Sequence, residues 1–100
     1  MISRFLEKRV EIDMEEPGRK PGNTLELEYY LLENEAGGNE SGSIFGVEIR
    51  EKNQGVLNEI KNYYNIFSSR EDTLNLVKML ARNTVTPSTL PYVLDDMLGT

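Results

Sequence analysis

The 100-residue chain contains no cysteine and no histidine. Without cysteine there are no disulfides, thiolate zinc sites or cysteine nucleophiles. Without histidine the commonest general base and the commonest transition-metal ligand are missing. No apolar run approaches the ~18 residues that span a membrane. The start, MISRFLEKRVEIDMEE, is charged too early and too often for a signal peptide. A soluble, cytoplasmic protein is the expectation, in which case the glycosylation sequon Asn39–Ser41 goes unused. Positive charge is scarce as well. Eleven Lys and Arg against seventeen Asp and Glu leave a net charge of −6, which disfavours nucleic acid as partner because phosphates are bound mainly by basic surfaces.

The length fits a single domain spanning residues 1–100. Residues 2–14 place Ile2, Leu6, Val10, Ile12 and Met14 on even positions, the spacing of a strand with one buried face. Ile2, Phe5, Leu6 and Val10 also fit a helix, but the clean alternation of RVEIDM favours the strand. EEPGRKPGN carries two Pro-Gly pairs and predicts a loop. TLELEYYLL alternates again, with Leu25, Leu27, Tyr29 and Leu31 on one face and Glu26, Glu28 and Tyr30 on the other. ENEAGGNESGS predicts a second loop. Both loops, near 15–23 and 34–42, are expected to be flexible because little apolar surface docks them. IFGVEIRE reads as a strand with Phe45, Val47 and Ile49 inward, and Lys52–Gly55 as a hairpin turn. VLNEIKNYYNIF has helical spacing at Leu57, Ile60, Tyr64 and Phe67. Its three Asn and paired Tyr lower helix propensity, and a strand after a hairpin turn is the more consistent reading.

The last third reads as two helices. Ser69 is a good N-cap with Asp72 three residues on, and Arg82 and Asn83 suit the last turn and the stop. At ~100° per residue, Leu76, Val77, Met79, Leu80 and Ala81 cover roughly 200° of the helix. That is about twice what a helix lying on a sheet needs, so the sheet and a second element are both expected to cover it. The next helix is the natural second cover: Thr86-Pro87-Ser88 offers caps, and with Ser88 as N-cap Pro91 falls in the first turn. Leu90, Val93, Leu94, Met97 and Leu98 form its apolar face, with Tyr92, Asp95 and Asp96 outside it. The fold class is α+β: an antiparallel sheet of about four strands followed by two C-terminal helices packed on one face.

YYLLE…FGVEI (Tyr29, Tyr30 and Leu31, then Gly46 to Ile49), with Thr86, Pro87, Leu90 and Asp96 of TP…L…VLDDML, resembles a family of small bacterial proteins of unknown function from Gram-positive anaerobes. The resemblance implies a sheet followed by helices and a cytoplasmic location. It brings no activity, cofactor or catalytic residue.

No catalytic, cofactor or metal site is expected. GGNESGS has the Gly37 to Gly42 spacing of a phosphate loop but lacks its Lys and leads into a strand. Glu26 with Glu28, and Asp95 with Asp96, lack a convergent third ligand, and read better as solvated carboxylates than as acid–base or cation sites. Arg4, Lys8 and Arg9 with Arg19 and Lys20 are the only basic concentration; with Tyr29 or Tyr30 they suit a nucleic-acid contact, but Glu7, Glu11, Glu15 and Glu16 interleave and cancel the field. The leading expectation is therefore a non-enzymatic protein-interaction or self-associating module, with Tyr92, Asp95 and Asp96 as an anchor and acidic rim for a protein partner. A small regulator touching nucleic acid through the N-terminal basic residues comes second, and a carboxylate-dependent enzyme third.

Overall fold

In a computed structural model, which describes residues 2–13, 24–35 and 42–98, four strands and two helices follow one another. The strands are β1 (Ile2–Asp13), β2 (Thr24–Glu35), β3 (Ser43–Asn53) and β4 (Val56–Phe67). They form one antiparallel sheet in the order β1-β2-β3-β4. Sequential neighbours pair because short antiparallel connections bring them together. Both segments with helical spacing, 2–14 and 56–67, are strands over their described residues. β2 runs on to Glu35, so Asn34 and Glu35 pair with Ile44 and Ser43. The rest of the loops expected near 15–23 and 34–42 lies outside the described residues, apart from the exposed Gly42.

The β3–β4 turn is the tight one anticipated at Lys52–Gly55. Gln54 and Gly55 both have positive φ, 53° and 81°, as a two-residue hairpin turn that matches the sheet twist requires.

Helix α1 (Arg70–Arg82) and helix α2 (Leu90–Leu98) follow the sheet. Ser69 caps α1 as the sequence predicts: its Oγ accepts from the Asp72 N–H at 3.2 Å. The start of α2 differs from the expected Ser88 cap. The N–H groups of Thr89 and Leu90 donate to the Thr86 carbonyl at 3.1 and 3.0 Å, and the Thr86 N–H donates to Thr89 Oγ1 at 3.1 Å. A Ser88 cap could accept only from Leu90, since Pro91 has no N–H, and the Leu90 N–H is already bonded to the Thr86 carbonyl.

The helices cover one face of the sheet. Leu27 and Tyr29 of β2 and Val47 and Ile49 of β3 are buried against Leu76, Val77, Leu80 and Ala81 of α1 and against Leu90 and Leu94 of α2. Tyr63, Ile66 and Phe67 of β4, and Met79 and Val93, pack around this core. The apolar arc of α1 is thus buried over Leu76, Val77, Leu80 and Ala81, while Met79 stays partly exposed in a depression it shares with Phe67 and Met97. The segment between the helices is pinned to the sheet, with Val85 and Pro87 buried and the Tyr29 hydroxyl donating to the Val85 carbonyl at 2.8 Å.

One expectation about β1 fails. Its even-numbered apolar residues do not share a face. The register slips between Leu6 and Lys8: Leu6 stands opposite Tyr30, whereas Lys8 stands opposite Tyr29. A bulge at Glu7 therefore turns Ile2 and Leu6 away from the core that Val10 and Ile12 join,.

Candidate functional site

The second face of the sheet carries no helix. Cross-strand partners share a face, so the register gives its layout. From the end near Ser69 it runs Ile2–Asn34–Ile44, then Arg4–Leu32–Gly46, then Leu6–Tyr30–Glu48–Asn62, then Arg9–Glu28–Arg50–Ile60, and last Glu11–Glu26–Lys52–Leu57. The first half is apolar with one Arg. The second half is charged, alternating along Arg9–Glu28–Arg50 and setting Glu11 and Glu26 side by side in the last row.

Glu48 is the centre of this face and only 1% exposed. Its carboxylate accepts from Arg4 Nε at 3.2 Å, Arg50 Nε at 2.8 Å and Asn62 Nδ2 at 3.2 Å. Arg4 also reaches the Tyr64 hydroxyl at 3.3 Å. Its hydrogen bond to Glu48, reinforced by the carboxylate's charge, raises the affinity of the guanidinium for its proton. The Arg50 guanidinium lies 4.9 Å from the centre of the Tyr30 ring. The Tyr30 hydroxyl in turn donates to Glu28 at 3.0 Å. Burial first, then this bond to a carboxylate, raises the Tyr30 pKa. Glu28 is itself buried and also accepts from Lys52 at 3.3 Å. Arg9 pairs with Glu26. Glu28 is thus not the solvated carboxylate its alternation suggests, because long side chains from β1 and β3 close over it.

Gly46 shapes the same face. A Cβ there would lie 2.0 Å from the Tyr63 carbonyl oxygen and 3.0 Å from Tyr64 Cα. The close approach goes with a break in the β3–β4 register between Tyr63 and Phe67, where Asn65 adopts φ 58°. Asn65 Oδ1 then accepts from Asn34 Nδ2 at 3.1 Å, reaching past β3 to β2.

Around the network stand Ile2, Leu6, Ile44, Leu57 and Ile60, each between 37% and 51% exposed. None was singled out as a surface residue by sequence reasoning, and neither were Glu48 and Gly46. The signal was available: the outward positions of β3, Gly46, Glu48, Arg50 and Lys52, complement those of β2 in charge and size.

Tyr92, Asp95 and Asp96 lie as expected on the outer side of α2, with Tyr92 74% exposed and both Asp exposed. They are far from the open sheet face, across the helical layer. The N-terminal basic run is divided by the bulge. Arg4 and Arg9 turn to the open face and pair with Glu48 and Glu26, while Lys8 faces the helix side beside Lys78 and Arg82. Arg19, Lys20, Glu15 and Glu16 lie outside the described residues, as do the sequon and Gly37. Among the described residues, no group of three or more carboxylates is gathered to hold a metal. Among the same residues no helix is long and apolar enough to cross a membrane.

The architecture defines a class: an α+β domain with a four-stranded antiparallel meander, helices on one face and the other face bare. Residues 8–100 match the model of a family of unknown function, DUF6514, and the chain belongs to that family. No curated protein and no solved structure matches it.

Proposed function

We propose that this protein is a non-enzymatic interaction module and that the open face of its sheet is where a protein partner docks. The observation that carries this is the exposure of five large aliphatic side chains on a face with no covering layer. An antiparallel sheet can present one face to water, but that face is then normally polar. An apolar area of several hundred Å² marks a contact surface instead. The carboxylates favour binding over catalysis. Glu28 and Glu48 already accept from Arg, Lys, Asn and Tyr partners, whereas a general base must be free to take a substrate proton. The divided basic run argues against a nucleic-acid surface, since Arg4 and Arg9 are committed to carboxylates within the sheet. A cytoplasmic location remains part of this reading.

The outer side of α2, with Tyr92, Asp95 and Asp96, is the rival surface. Among the described residues Tyr92 is the most exposed of the large hydrophobic side chains. Site-specific photo-crosslinking in cells separates the two. A crosslinking residue at Leu6 should yield protein adducts and one at Tyr92 should not. Adducts at Tyr92 alone would move the interaction to α2, and adducts at neither position would refute the interaction reading.

A further inference from the structure

We infer that the occupant of the open face is a second copy of this chain, packed face to face about a two-fold axis that runs parallel to the strands between β2 and β3. This rests on the reading of that face as an interaction surface.

The register supplies the argument. Such an axis keeps each cross-strand row in place and reverses the strand order, so that β1 lies over the partner's β4 and β2 over its β3. Within the charged half, Glu28 then faces the second copy's Arg50, and Glu26 faces its Lys52. In these two rows β2 contributes acids and β3 bases, so the exchange of the two central strands puts opposite charges across the middle of the interface, while Arg9 and Glu11 at the edge lie over Ile60 and Leu57 of the second copy. Isologous interfaces need this kind of self-complementarity. The five rows given above hold four acids and four bases, Glu11, Glu26, Glu28 and Glu48 against Arg4, Arg9, Arg50 and Lys52. Over those five rows a chain of net charge −6 meets its copy where its own charge balances.

The alternative two-fold, across the strands, would lay the apolar half on the charged half. Edge-to-edge pairing is disfavoured by the bulge in β1 and by the broken register at the end of β4, since bulged edges resist strand addition. The size is right as well. Four strands about 4.8 Å apart and about 40 Å long offer about 750 Å², close to the ~800 Å² that each partner contributes to a standard stable interface. Packed sheets at about −30° keep the rows beside the axis in register.

Sedimentation velocity over a concentration series tests the dimer, and crosslinking tests the axis. The wild type should sediment as a dimer at tens of micromolar. Leu6→Glu, and separately Ile44→Glu, should raise the dissociation constant at least tenfold, with monomer folding followed by circular dichroism. Both side chains are already exposed in the monomer, and each substitution acts twice per dimer. Because the chain has no cysteine, Leu6→Cys mixed with Asn62→Cys should be joined by a short bismaleimide faster than either variant with itself. A wild type that stays monomeric at several hundred micromolar overturns the proposal. So does a dimer indifferent to both Glu substitutions, or one in which Leu6→Cys links fastest to itself. Adducts at Leu6 with a different protein, from a monomeric wild type, would retain the docking face while refuting the second copy.

Discussion

Arg4 on the edge strand reaches over β2 to Glu48 on β3, with Nε 3.2 Å from both carboxylate oxygens. Its cross-strand partner Leu32 is only 1% exposed, although it lies on the face that no helix covers. The Arg4 stem and the Leu6, Ile44 and Tyr64 side chains can shield Leu32 from water, since long charged side chains cover apolar surface while their heads stay polar. Glu48→Ala should therefore cost about 3 kcal/mol, because it strands two guanidinium groups and an amide at once. Glu26→Ala, which loses only a pair with the half-exposed Arg9, should cost less than about 1 kcal/mol. Urea denaturation measures both. Equal losses would show that the Glu48 network contributes no more than a surface pair.

Gly46→Ala should destabilise the domain by about 3 kcal/mol, as overpacking against a rigid backbone does. The added methyl meets the Tyr63 carbonyl and Tyr64 Cα, neither of which can rotate aside. The loss should be local. Hydrogen exchange at Tyr63 to Phe67 should accelerate while the β1–β2 ladder stays protected, and unchanged exchange there would refute the account of the β4 break.

Burial pushes the Tyr29 hydroxyl up to about 12. The unfolded chain ionises near 10, so between pH 10 and 12 the folded state holds more protons. Stability is fully present below about pH 10 and falls as pH rises toward 12. Tyr29→Phe should flatten that alkaline decline while lowering stability at neutral pH by about 1 kcal/mol, the worth of its bond to Val85. Denaturant melts at pH 7, 10 and 11.5 check both parts.

Leu80 is 1% exposed in the layer between α1 and the sheet. Leu80→Ala should cost about 2–5 kcal/mol, a drop in melting temperature of more than about 10 °C in a domain of this size. A near-unchanged melt would mean that the helix does not pack there.

Asp95 and Asp96 sit in the C-terminal half of α2, where the macrodipole disfavours negative charge by about 0.3–1 kcal/mol. Asp95→Asn with Asp96→Asn should leave thermal stability equal or slightly higher. If that pair combined with Tyr92→Ala also weakens partner capture in a pull-down, α2 is the contact surface; unchanged capture leaves the sheet face.

The sequence by itself determined the strand and helix elements, their order and most of the inward residues. Alternation in β2 and β3 and the capped 3.6-residue pattern of α1 are local properties, and hydrophobic burial acts on them whatever their neighbours are. Tyr29 inward and Tyr30 outward followed from period two alone. Only the tertiary structure decided what happens where the period breaks. One extra residue at Glu7 reverses the facing of half of β1, because each single step in a strand turns the side chain to the opposite side. One missing Cβ at Gly46 admits the break in β4 that brings Asn65 toward Asn34. Neither event leaves a periodic trace. The Glu48 network was equally hidden, since Arg4 and Glu48 lie 44 residues apart and meet only because β2 brings β1 and β3 to opposite sides of a single strand.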